Sequence, residues 1–108
     1  MPSNIFQNIP ALLPDELFET LYKHDAVHIE RIVSKGHVTA TDHWYDQAWD
    51  EWVLVLQGEA VLAYENQTSV NLSAGNYVLI PAHTKHKVAW TTADIETVWL
   101  AVHIGTAT

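Results

Sequence analysis

The sequence predicts an all-β domain, a barrel or sandwich of short strands. Three observations carry this expectation. From His28 onward the hydrophobic period is two rather than 3.6. Runs rich in β-branched and aromatic residues recur at regular spacing. Between them lie compact turn signals such as Gln57-Gly58, Ser73-Ala74-Gly75-Asn76 and Thr92-Ala93-Asp94. At 108 residues the chain has room for one core, so residues 1–108 are expected to form a single domain.

Taken in order, residues 1–14 hold Pro2, Pro10 and Pro14 and read as an irregular lead-in. Asp15 to Tyr22 predicts a short helix: acidic residues occupy its first turn, and Leu17/Leu21 and Phe18/Tyr22 repeat at i, i+4. Residues 1–24 thus form a lead-in and lid, and 28–104 the barrel. His28, Glu30 and Ile32 alternate with Ile29, Arg31 and Val33 up to Ser34-Lys35-Gly36. Further strands are expected over 52–57, 59–65, 68–72, 77–81, 86–91 and 96–104. The first and last of these six are apolar on both faces, the pattern of strands covered on both sides. A second copy of the chain would supply that cover, so a homodimer is expected.

Composition removes several function classes. The net charge is −8 with only five Lys and Arg, which argues against nucleic acid and against an anionic membrane surface, since both need basic residues. No cysteine is present, which excludes disulfides, thiolate nucleophiles and thiolate metal ligands. Residues 1–30 lack the basic start and apolar run of a secretory signal, and no apolar run approaches the roughly 18 residues of a membrane span. A soluble cytoplasmic protein is the expectation.

The chemistry concentrates at the two ends of the stretch from His43 to Trp90. One end is His43-Trp44-Tyr45-Asp46-Gln47-Ala48-Trp49-Asp50-Glu51, and the other is Pro81-Ala82-His83-Thr84-Lys85-His86. Glu51 heads a run as apolar as Trp52 to Leu56, so if buried it needs a partner. His86 follows a proline turn and begins a strand. Trp90 shares its parity and is expected to wall the same pocket.

Glu51 with Gly58, and Gly75 with Pro81 and His86, resemble the two conserved motifs of the cupin family across residues 36–104. The resemblance implies a double-stranded β-helix, a jelly-roll barrel open at one end. It also implies a divalent metal site of two His and one Glu from the first motif and one His from the second. Glu51 and His86 match their positions, while the two first-motif histidines fall on Tyr45 and Gln47, and the second-motif turn glycine on His83.

His43, Tyr45 and Gln47 are spaced by two and project from one face of an extended segment. The metal set the resemblance implies is His86 and Glu51, completed by Gln47 and by His43 or Tyr45, and it is suited to Mn, Fe, Ni or Zn without a choice among them. Tyr45 and His83 are the expected proton-moving residues, and Tyr45 and Trp90 line the pocket. His28 and His103 read as packing residues, and His24 and His37 as surface loop residues.

The function expected is a metal- and small-molecule-binding cupin, catalysing oxygen insertion, isomerisation or elimination. Alternatives are a non-catalytic binding cupin with a degenerate metal site, a structural partner with a vestigial one, and a metal-free epimerase-like activity.

Overall fold

The computed structural model describes residues 2–105, and among them there are eight strands and no α-helix. In order they are β1 (Leu17–His24), β2 (Val27–Ser34), β3 (Asp50–Gln57), β4 (Glu59–Tyr64), β5 (Ser69–Ser73), β6 (Tyr77–Ile80), β7 (His86–Thr91) and β8 (Thr97–Ile104). No helix is long and apolar enough to cross a membrane. All pairings are antiparallel, in a five-stranded sheet β1-β2-β8-β3-β6 facing a three-stranded sheet β5-β4-β7. This is a double-stranded β-helix. Every strand expected from residue 28 onward is present, within about two residues at its ends.

The short N-terminal helix is not present. Its residues form β1, which pairs with β2 from Leu17↔Val33 to His24↔Val27 and carries a bulge at Leu21. So short a helix is marginal alone, whereas the edge of β2 offers a row of unpaired backbone groups. Phe18, Thr20 and Tyr22 are moreover good strand residues. The i, i+4 repeat was coincidental.

Alternation sorts the residues. Val53, Val55, Ile80, Trp99, Ala101 and Ile32 meet Ala60, Leu62 and Leu72 of the smaller sheet in the core. The opposite face of the large sheet bears Trp52, Leu54, Leu56, Leu100 and Val102, half-buried, with Tyr77 and Leu79 exposed beside them. Trp52 faces Val102 on one side and Leu79 on the other, and its ring lies 5.5 Å from that of Tyr77. Among the described residues, that side of β3 is left half-buried. The lead-in is fastened elsewhere on the same face: the buried Arg31 guanidinium donates to the carbonyls of Ile5 and Gln7 and pairs with Glu19.

Two glycines turn the chain at positive φ. Gly58 (φ +89°) joins β3 to β4 so tightly that a Cβ there would lie 2.3 Å from Thr97 Oγ1, while Gly75 (φ +94°) has open space around it. Between β2 and β3, residues 37–49 leave the large sheet, run beside β7 of the small one and return. Tyr45 and His86 exchange both backbone hydrogen bonds (2.8 and 3.1 Å), and the His83 N–H donates to the Gln47 carbonyl. The two ends of the His43–Trp90 stretch are thus stitched together.

Candidate functional site

Between the sheets lies a cavity of about 660 Å³, in the size range of small-molecule sites. Its floor is apolar, formed by Ile32, Val53, Leu62, Ile80 and Val88. Polar groups stand on two walls.

The first wall carries His86, Glu51, Tyr45 and Gln47. Glu51 and His86 are 7% and 5% exposed, and His86 Nε2 lies 3.7 Å from Glu51 Oε1, an ion-pair rather than a hydrogen-bond distance. His86 Nδ1 is 2.7 Å from the Thr84 carbonyl; a carbonyl only accepts, so Nδ1 carries a proton and Nε2 turns to Glu51. Burial pulls the His86 pKa down, but the Glu51 carboxylate, the Thr84 carbonyl and the charge of Asp46 outweigh it and raise it above the usual histidine value. The Tyr45 ring stands 5.8 Å from that of His86. Burial, with the nearby carboxylates of Glu16 and Glu51, raises its phenol above the ordinary value of 10, so Tyr45 faces the cavity as a hydrogen-bond donor.

The other expected site residues lie apart. His43 is exposed, edge-on to Tyr45 at 5.0 Å, and does not line the cavity. His83 occupies the turn at φ +61°, the left-handed conformation that suits a glycine, and its exposed ring pairs with Asp46 at the rim (3.3 Å). Trp90 is turned away. Val88 pairs with Leu62 and Trp90 with Val61, so Ala89 is an extra residue in β7. That bulge reverses the alternation after Val88, leaving Trp90 outside the cavity and 45% exposed.

The second wall was read in the sequence as packing. Trp49 donates its indole N–H to His103 Nδ1 (2.8 Å), which leaves the imidazole proton on Nε2, donated to Glu30 Oε1 (2.7 Å). His28, its ring 5.6 Å from that of His103, shares a 2.8 Å hydrogen bond with the Thr20 hydroxyl. All of these but Thr20 line the cavity. His103 pairs across strands with both His28 and Glu51, so the two walls meet along one row. The parity of His28 and His103 was visible, but not that β2 lies beside β8.

The described residues contain no group of three or more His, Asp or Glu placed to hold a metal ion. His86 is oriented as a metal ligand would be, with Nδ1–H on a carbonyl, and Glu51 stands close enough to share one ion with it. Gln47 and Tyr45 add only an amide and a protonated phenol. A catalytic ion usually takes three good protein donors. The residues present do not fit a tightly held resident metal.

Residues 29–103 match the family model described as Cupin domain. A candidate mannose-6-phosphate isomerase from Ralstonia eutropha JMP134 is 38% identical, with a TM-score of 0.93, over 98% of this chain and 99% of that one. A cupin superfamily protein from Desulfitobacterium hafniense DCB-2 is 22% identical (TM-score 0.75; 91% and 84% covered). An RmlC-like cupin with a double-stranded β-helix fold from Methanocaldococcus jannaschii is 19% identical (TM-score 0.70; 90% and 86% covered). The last two likenesses speak for the fold. No curated protein shows significant sequence similarity to the chain.

Proposed function

The chain belongs to the cupin domain family, and from that premise we propose that it binds a small molecule between its sheets and acts on it by proton transfer. The observation that carries this is the His86–Glu51 pair, buried and facing a cavity of about 660 Å³. The raised pKa of His86 keeps it available as an acid near neutral pH, and Glu51 beside it is the complementary base. Tyr45 donates to a ligand oxygen at the same wall. Isomerisation or elimination at a carbon next to a carbonyl is the reaction class such a couple serves, in line with the isomerase description of the Ralstonia protein.

The second reading is a weakly held divalent ion (Mn, Fe, Ni or Zn) on His86 and Glu51, favoured by the Thr84–His86 hydrogen bond. Bound there, an ion would polarise a ligand oxygen. Ion analysis of protein purified without a polyhistidine tag separates the two: close to one equivalent, lost in His86→Ala, would overturn the metal-free reading. A saturation-transfer NMR screen of soluble metabolites tests the pocket itself. Hits that weaken at least ten-fold in Glu51→Ala and His86→Ala support it, and a screen without hits that depend on the cavity refutes it.

We propose further that two copies pair through the outer face around Trp52, Leu54 and Leu79, and that the protein works in the cytoplasm. The apolar character of that face and the absence of cysteine support these assignments.

A further inference from the structure

We propose that the ligand is an uncharged, hydroxyl-rich molecule with the chemistry of an unphosphorylated sugar or polyol, held across both walls, with Glu30 and His103 as its second binding station. This rests on the small-molecule reading above and narrows it.

Charge is the first argument. Glu16, Asp25, Glu30 and Glu51 all line the cavity, and the one cationic side chain reaching it that is charged at every working pH is Lys23. The remaining cations are engaged elsewhere among the described residues. Arg31 is spent on Glu19 and the lead-in, Lys35 on Glu96, Lys85 on Glu65, and Lys87 on the Trp44 ring and the Thr41 carbonyl. A phosphate or carboxylate ligand would enter a low-dielectric space lined by four carboxylates, with Lys23 and protonated His86 to offset them. No cluster of basic side chains or bidentate arginine is there to receive it.

Hydrogen-bond arithmetic is the second. Each of the four carboxylates already has a partner: Ser34 on Glu16, His24 on Asp25, His103 on Glu30, His86 on Glu51. What they leave over are second carboxylate oxygens, which accept. The same cavity presents donors: the Tyr45 phenol, the Gln47 amide and the cavity-lining Trp99. Trp99 is 3% exposed, and its indole N–H is the buried side-chain donor without a partner among the described residues. An unpaired buried donor is costly and calls for an acceptor. An ammonium ligand only donates and leaves Trp99 and Tyr45 unmet, and a phosphate dianion only accepts and leaves the carboxylates unmet. A hydroxyl does both.

Placement is the third. Glu51 and His103 face each other on paired strands, where opposite Cβ atoms lie about 4.5–5.5 Å apart, so one six-carbon molecule reaches both stations. Trp49 and Trp99 supply flat apolar surface for the C–H faces of such a ring.

The test is saturation-transfer NMR and calorimetry with uncharged pentoses, hexoses and alditols, run beside the 6-phosphates and 2-amino forms of the same hexoses. The expected result is a neutral member binding at least ten-fold tighter than its phosphate and amino counterparts. Glu30→Gln and His103→Phe should each weaken it at least five-fold. Trp49→Phe, which keeps a flat apolar ring of smaller size and loses the indole N–H to His103, should weaken it less, and it covers the case in which His103→Phe fails to fold. A phosphate form binding as tightly as the neutral one, or neutral binding indifferent to Glu30 and Trp49, overturns the proposal. So does the absence of sugar binding when other metabolites bind in a His86-dependent way, a result that leaves the pocket reading standing. No cavity-dependent ligand of any class overturns both.

Discussion

Replacing Gly58 by alanine tests whether the tight turn before β4 is a packing requirement or merely a conformational one. Its φ of +89° costs an L-residue about 1–2 kcal/mol. The new methyl would also sit 2.3 Å from Thr97 Oγ1 and 2.6 Å from Thr97 Cα. Thr97 is fully buried and part of β8, so it cannot swing aside. Such overpacking adds about 1–3 kcal/mol, for a total of about 2–5 kcal/mol. Gly75→Ala is the internal control: its φ of +94° carries the same conformational cost, with nothing within 4 Å of the added methyl. Thermal unfolding followed by tryptophan fluorescence reads both variants. At about 4 °C per kcal/mol, Gly58→Ala should lower the thermal midpoint by about 8–20 °C, and Gly75→Ala by less than half of that. Equal losses in the two variants would refute the packing argument.

Three further outcomes are expected. The folded-state pKa of His86 is raised, so its contribution to stability is complete below about pH 6.5 and is lost as pH rises through the folded value. The stability advantage of wild type over His86→Gln, from urea titrations between pH 6 and 9, should therefore shrink as pH rises; a growing or constant advantage would contradict the ion pair. Arg31→Met removes the charged donor that fastens the lead-in and should cost about 1.5–3 kcal/mol, with faster amide exchange confined to residues 2–14. Unchanged exchange there would mean the lead-in is held by something else. Leu79→Glu places a charge on the outer face of β6, and sedimentation should show a shift from dimer to monomer with the cavity intact; a wild-type monomer would dispose of that interface.

Much of the fold was legible because it is written in local signals. Strand periodicity and the turns at Gly58 and Gly75 located seven of the eight strands. The eighth, β1, was misread because its apolar residues also fit a helical spacing, and what decides between them is the edge of β2, a partner supplied by the fold. The site divides along the same line. Glu51, His86, Tyr45 and Gln47 lie on segments whose turn chemistry fixes their direction, and all four face the cavity. Glu30, His28 and His103 become a wall only when β2 pairs with β8, a contact between residues some seventy positions apart. Trp90 failed for a third reason, since parity arguments assume an unbroken ladder and Ala89 breaks it.

That break has a consequence for how such a pocket changes over generations. An extra residue held in a bulge is absorbed where it stands: Trp90 still meets Val61 and Thr91 still meets Ala60, so the rest of the strand keeps its sides up to Thr91. Removing Ala89 would leave Trp90 directly after Val88, still outside opposite Val61, and Thr91 still buried opposite Ala60. A single codon gained or lost at this rung thus spares both the space available to a ligand and every polar residue that contacts it. In this barrel a new ligand size is reached by substitutions on the walls, while the bulge lets β7 change length without disturbing them.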